Sequence, residues 1–349
     1  MAHVIVLGGG FGGLAKLWDL VGTRPLEAGT GRLDTLTGRG IAFVKATIMG
    51  IDPERRRVET SAGAYDADFL VVALGATDGF GALDGLQGAA HDLYDPEALP
   101  AMRAALSRLD AGRLVVPVLG GPYKCPPAPY EATFLLDEHL RRRGVRDRVE
   151  VVVTTPLPTS LPAAGSEVSD MVARALAERD IELRTGLMVE VMDSEAQTLR
   201  FAGGTTLSYT LALAVPVAAP PAVVAESALA GDGGWIWPDR ESARTRFEGV
   251  YAAGDCTAVD GLPKAAVFAE AMATVAARNI VAELTGSTPT SFDGSGYCFL
   301  EFPERRASAL EGNFFAKPAP AVHMAEPDTA TYTRKEAFEA ERLQEWLGL

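Results

Sequence analysis

Cysteine is scarce in this chain: three among 349 residues, at Cys125, Cys256 and Cys298. That is too few for a secreted disulfide scaffold, and an odd count leaves at least one thiol unpaired, so a bridge between two of them points to catalysis rather than scaffolding. Positive charge is short as well, with 32 Lys and Arg against 46 Asp and Glu and a formal net charge of -14. Nucleic acids and anionic membranes reward clustered Lys and Arg, so no nucleic-acid partner is expected. The most apolar run, LALAVPVAAPPAVVAESALA, is broken by Pro216, Pro220 and Pro221 and cannot supply the roughly twenty helical residues of a bilayer span. The tail RKEAFEAERLQEWLGL offers only Phe338, Leu343, Trp346 and Leu347 beside four glutamates, which predicts at most peripheral membrane contact. MAHVIVLGGG runs straight into an apolar strand with no basic leader, so a cytoplasmic location is the expectation. Repeats and low-complexity segments do not stand out, and no metal site is expected.

Apolar residues are plentiful, at 48% of the chain, enough for a sizeable core spread over two or three domains. Apolar runs predict strands at His3 to Leu7, Ile41 to Ile51, Arg57 to Thr60, Phe69 to Leu74, Arg113 to Leu119, Val149 to Thr154, Leu211 to Val217 and Gly249 to Ala252. Helical spacing of apolar positions predicts helices at Tyr130 to Arg143, Ser166 to Arg179 and Lys264 to Thr285. Alternation of this kind means an α/β fold with parallel sheets.

The stretch VIVLGGGFGGL places Gly8, Gly10 and Gly13 in G-x-G-x-x-G spacing, with Phe11 and Gly12 between them, after a strand and at a helix start. The first glycine makes the tight turn, the second lets backbone approach a pyrophosphate, and the third lets helix and strand pack. The helix N-terminus then faces the anion. Downstream, FLVVALGA is a strand ending in a turn at Ala73 and Gly75, and GVYAAGDCTA is a strand ending at Gly254 and Asp255. Together these resemble the flavoprotein half of the pyridine nucleotide-disulfide oxidoreductases, which implies FAD, with the Asp255 carboxylate accepting from the cofactor's hydroxyls.

With GGPYKCPPAPYE, GLPKAAVFAEA and GSGYCFLEF added, the chain resembles the sulfide:quinone oxidoreductase and flavocytochrome c sulfide dehydrogenase family over almost its whole length. The resemblance implies two Rossmann-like FAD/NAD(P)-binding-type domains, the first discontinuous, plus a small C-terminal α+β region. The expected division is 1-78 with 231-288 for FAD, 79-230 for a second Rossmann-like domain without NAD, and 289-349 for the region carrying the second redox cysteine. By motif, Cys125 and Cys298 fall on the family's redox-active pair. Lys264, in LPKA at a helix start, falls on the lysine near the flavin pyrimidine edge, where cation and helix dipole would stabilise an anionic reduced flavin. Cys256 has no such counterpart and reads as a buried filler.

Two features depart from an NAD-using relative. The strand Arg113 to Leu119 leads into Gly120-Gly121-Pro122-Tyr123-Lys124-Cys125 instead of a second glycine loop, and the strand VEVVVTTP ends in Thr154 and Thr155 instead of an acid or an arginine. Pro129 opening a helix, and Lys124, predict a low thiolate pKa at Cys125. Glu131 reads either as a proton relay or as a first-turn partner of the helix dipole. After the glycine turn, the strand that should carry the ribose-binding acid is absent, and roughly thirty residues are missing relative to a complete unit. Glu27 and Asp34 lie within reach by count, yet neither follows a strand.

The expected reaction is attack of a small sulfur nucleophile on a Cys125-Cys298 disulfide, with electrons passing through flavin to a quinone or a protein acceptor. Tyr297, Phe299, Phe314 and Phe315 are the candidates for an apolar quinone slot. The alternatives are an NAD(P)H-dependent disulfide or quinone reductase and a non-catalytic flavin-binding relative.

Overall fold

The computed structural model describes residues 2–8, 15–80, 83, 85, 86 and 88–347. Two parallel sheets dominate. The first has three strands, in the order Val4–Leu7, Phe69–Val72, Val250–Ala252, so it is assembled from segments lying on both sides of the second sheet in sequence. The run FLVV shows why Phe69–Val72 is its middle strand: side chains alternate across a strand, and both faces are covered here. Phe69 and Val71 pack with Phe268, Met272 and Val275 of the long helix Ala266–Thr285, while Leu70 and Val72 pack with Ile51, Val58 and Cys256.

The second sheet has five parallel strands in the order Ile181–Arg184, Val149–Thr154, Gly112–Pro117, Leu211–Ala214, His91–Asp92. Its central strands are continuous apolar runs because both faces are covered, one by the helices Leu99–Arg108, Ala128–Arg142 and Ser166–Ala177 and the other by the antiparallel strands Val189–Asp193, Thr198–Phe201 and Thr206–Ser208. The helix Ala15–Leu20 belongs to this core too: Leu17, Trp18, Leu20 and Val21 pack with Leu93, Met102 and Leu140. Residues 17 to 21, counted with 1-78 in the sequence-based division, therefore join the second unit's core. A third, antiparallel sheet, Ser295–Phe302, Arg306–Asn313 and Ala321–Met324, is followed by the helix Thr329–Leu347. No described helix is long and apolar enough to cross a membrane.

The predicted strand Ile41 to Ile51 forms only over its second half, at Ile48–Asp52. Residues 41 to 47 carry apolar side chains but have no partner strand, and Ile41, Phe43 and Val44 are exposed. The cause is the missing strand: among the described residues none lies between helix Ala15–Leu20 and Ile48. The same loss leaves Val4–Leu7 at the edge of the first sheet, with Val4 and Val6 exposed.

Candidate active site

Cys125 lies in the turn between strand Gly112–Pro117 and helix Ala128–Arg142 and has φ 52, an uncommon backbone for a residue other than glycine. Two backbone hydrogen bonds pin it: its N–H donates to the Lys264 carbonyl at 2.7 Å, and its carbonyl accepts from the Ala128 N–H at 2.8 Å. Cys298 arrives from the antiparallel sheet. Its strand runs close against helix Ala266–Thr285 at Gly296, where an added Cβ would sit 2.3 Å from the Phe268 ring. Gly296 thus leaves room for the Phe268 ring. The Cys125 and Cys298 side chains are hydrogen-bonded to each other, and both are free thiols in this structure.

The charge distribution within the pair reverses the sequence-based expectation. The hydrogen bond to Cys298, then burial and the negative charges of Cys298 and Glu131, push Cys125 well above the usual thiol range. The Ala128 amide at the helix N-terminus pulls it down, but is the smallest of these influences. Cys298 is held below the usual range, first by the proton Cys125 donates to it, with help from the Phe299 amide and Lys335 against the cost of burial. Cys125 is thus held as the weaker acid of the two thiols and Cys298 as the stronger. Helix-terminus stabilisation loses here because the closer hydrogen bond and the apolar surroundings act together.

Glu131 stands on the first turn of the helix after Cys125 and is wholly buried, which rules out a solvated dipole partner. Its Oε2 accepts from the Glu301 N–H at 3.0 Å, while no described group hydrogen-bonds the buried Oε1. Burial pushes the carboxyl up to about 8; Lys335 opposes this, and Glu301 and Cys298 reinforce it. A buried carboxyl with an open oxygen beside two thiols is equipped to take and return protons near neutral pH. Sequence reasoning missed both Lys335 and Glu301, since single charges in TRKEAFEAE and CFLEF look solvated. Cys256 behaves as the filler expected: it is fully buried, its thiol donates to the Val72 and Ala253 carbonyls, and burial raises it to about 11.

Gly254, Asp255, Lys264 and Cys298 line one cavity of about 380 Å³, together with Trp235 and Tyr123. The Lys264 ammonium donates to the carbonyls of Asp255 at 2.8 Å and Thr257 at 3.0 Å and lies 3.4 Å from the centre of the Trp235 ring. Burial lowers it to about 8 and raises the Asp255 carboxyl. Gly8, at the end of strand Val4–Leu7, has φ +92, and a Cβ there would fall 2.2 Å from the Ala73 carbonyl oxygen, so only glycine fits between the two strand ends. Gly75 and Gly254 also adopt positive φ, at 69 and 79. Gly10, Phe11, Gly12 and Gly13 lie outside the described residues. The closely abutting strand ends and the half-buried aspartate, lysine and cysteine in one cavity wall fit a flavin dinucleotide at its ring and pyrophosphate parts. The candidate aromatics divide into two groups. Tyr297 and Phe299 meet Phe338 around a separate cavity of about 760 Å³, whereas the half-buried Phe314 and Phe315 pack on Phe268 and Phe292, with Phe314 lining the cofactor cavity.

Residues 22–273 match the family model described as pyridine nucleotide-disulphide oxidoreductase. The chain belongs to that family. It is an FAD-dependent oxidoreductase with the Rossmann-like, parallel-sheet α/β units expected from the sequence. It is 22% identical to the mitochondrial sulfide:quinone oxidoreductase of Mus musculus over 90% of this chain and 79% of that one. The solved sulfide:quinone oxidoreductase of Aquifex aeolicus superposes with a TM-score of 0.87 at 21% identity, covering 100% of this chain and 92% of the other. A type II NADH:quinone oxidoreductase of Staphylococcus aureus is 25% identical over 72% of this chain and 67% of its own length.

Proposed function

We propose that the chain oxidises sulfide, or a related small sulfur compound, at a Cys125-Cys298 disulfide and passes the electrons through FAD to a quinone or another acceptor. The observation that carries this reading is the meeting of the two cysteines at the wall of the cavity shared by Gly254, Asp255 and Lys264. With the pair oxidised, hydrosulfide attacks one sulfur: a new S–S bond forms there, the Cys125-Cys298 bond breaks, and the other sulfur leaves as a thiolate. Attack falls on Cys125, which keeps the persulfide, and Cys298 leaves. Cys298 lines the cavity and Cys125 does not, which puts the departing charge on the cofactor side. FAD, which Gly8, Gly254 and Asp255 would hold, would supply a two-electron acceptor there, and Lys264 a cation in the same wall. Glu131 takes the proton that the persulfide on Cys125 releases.

The resemblance to sulfide:quinone oxidoreductases supports a quinone as acceptor. Tyr297 lines both the cofactor cavity and the aromatic cavity beside Phe299 and Phe338, which favours that second cavity as the acceptor's approach. NADH is the other donor to weigh, given the Staphylococcus aureus relative. Against it, Pro122 and Tyr123 occupy the turn where a second pyrophosphate loop would be, and Thr154 and Thr155 at the next strand end are fully buried. An anaerobic spectrum decides between the two donors: sulfide should bleach the flavin within seconds and NADH should leave it oxidised. Rapid bleaching by NADH with none by sulfide would overturn the reading.

A further inference from the structure

FAD and FMN share the flavin ring, the ribityl chain and the first phosphate, and differ by the adenosine monophosphate that FAD adds. In a complete dinucleotide unit an acid after the second strand hydrogen-bonds the ribose of that adenosine. Among the described residues no strand stands there, and residues 9–14 read GGFGGL and hold no acid. The four acids that follow, through Asp52, are all engaged away from the carboxyl ends of the first sheet. Asp19 pairs with Arg103 of helix Leu99–Arg108 and accepts from the Leu26 N–H at 2.7 Å, so it belongs to the second unit. Glu27 is exposed on the short turn Leu26–Gly29. Asp34 accepts from Arg32 Nε at 3.1 Å on the turn Leu33–Arg39, and Arg39 ties that turn to the C-terminal helix by donating to the Glu345 carbonyl at 2.6 Å. Asp52 pairs with Arg55 at 2.8 Å, in a separate antiparallel sheet. Asp68 lies at the amino end of the first sheet, where it accepts from the His3 N–H at 2.7 Å, and nucleotides bind outside the carboxyl ends of such strands.

The ring half of the site is furnished in full by contrast. Gly8 abuts Ala73, Gly254 and Asp255 follow strand Val250–Ala252, and the Lys264 ammonium lies on the Trp235 ring in the cavity that Gly254 and Asp255 line. We propose that this site grips the flavin, ribityl and first-phosphate half of its cofactor alone, so that FMN binds about as tightly as FAD. The proposal rests on the flavin site assigned above and not on the sulfur substrate. Affinities for two ligands differ only through what one meets and the other does not. A carboxylate receiving ribose hydroxyls forms charge-assisted hydrogen bonds, which are the strong ones, and here the adenosine half goes without them. Where the second strand would stand, the edge of Val4–Leu7 is open, with Val4 and Val6 exposed.

Competition between the two flavins tests this directly. The full chain, stripped of flavin, is incubated with FAD and FMN at equal concentrations in excess over protein; gel filtration removes unbound flavin, and the bound flavins are released and separated by chromatography. Bound FMN should reach at least about a tenth of bound FAD, an affinity difference of about tenfold or less. A smaller share, or no FMN at all, overturns the proposal. Asp255→Asn should weaken FAD and FMN by the same factor, since both carry the ribityl chain, and a larger loss for FAD would count against the assignment. Glu27→Gln and Asp34→Asn should leave both affinities unchanged; a loss confined to FAD in either would reveal a ribose acid and sink the idea. If Asp255→Asn does not fold, the competition in the unaltered chain decides alone. Flavin binding needs no sulfide, so failure here is separable from failure to oxidise sulfide.

Discussion

The backbone N–H of Cys125 donates a 2.7 Å hydrogen bond to the carbonyl of Lys264. Cys125 belongs to the turn leaving the second sheet, and Lys264 to the loop that enters the helix Ala266–Thr285 beside the first. One bond therefore ties the position of a redox sulfur to the wall of the cofactor cavity. Because the donor and acceptor are both backbone, substitution of either side chain leaves the tie in place.

Replacement of Cys125 or Cys298 by Ser should keep FAD bound, with an unchanged visible spectrum, and abolish sulfide-dependent flavin reduction. Stopped-flow absorbance under anaerobic conditions measures it. Retained reduction in both single variants would sink the disulfide mechanism.

Glu131→Gln should slow sulfide-dependent flavin reduction by about 10²- to 10⁴-fold at pH 8, the range typical of a lost general base or acid. The wild-type rate should climb with pH up to about 8, where the carboxyl ionises, and the variant's profile should be flat there.

The same residue makes a prediction about stability. An unfolded glutamate releases its proton near pH ~4.3, whereas the folded one holds it to about 8. Between these values the folded state binds the extra proton, so this group's contribution to stability is full below the lower pH and is lost as pH rises through the upper one. The melting temperature of Glu131→Gln should gain on wild type as pH goes from 5 to 9. A gap that narrows instead would contradict the assigned direction.

Gly8→Ala should lower stability by about 1–3 kcal/mol, since it combines a strained backbone with a side chain driven into a neighbouring carbonyl. It should also weaken FAD retention on gel filtration. An alanine variant with wild-type melting and flavin content would show that the strand ends can part at little cost.

At the open edge of the first sheet, Val6→Lys should change folding stability by less than about 0.5 kcal/mol, because Val6 is 58% exposed. The added charge should also reduce concentration-dependent association seen by light scattering, as charges on edge strands do.

The sequence was most legible where local pattern and burial agree. FLVV and VEVVVT are strands buried on both faces, and their continuous apolar runs say so without help from the rest of the chain. IAFVKAT carries the same kind of signal and fails, since a strand needs a hydrogen-bonding neighbour and no strand among the described residues pairs with it. The partnership of Cys125 and Cys298 was available through motif resemblance and not through spacing. Their charge order was not available at all, because it depends on burial and on a hydrogen bond between distant segments. Lys335 was hidden for a similar reason: a lysine among glutamates on a helix looks solvated until another element closes over it.

The first sheet pairs Phe69–Val72 with Val250–Ala252, while every strand of the second sheet lies between residues 91 and 214. Contacts so distant in sequence are slow to form, because loop closure must be achieved before they reward the chain. The second unit should therefore condense first as the polypeptide folds, holding Cys125 in its turn before any partner sulfur arrives. The cofactor cavity closes late, around a scaffold already standing, and for the same reason should be the first part of the molecule to open under denaturant or protease.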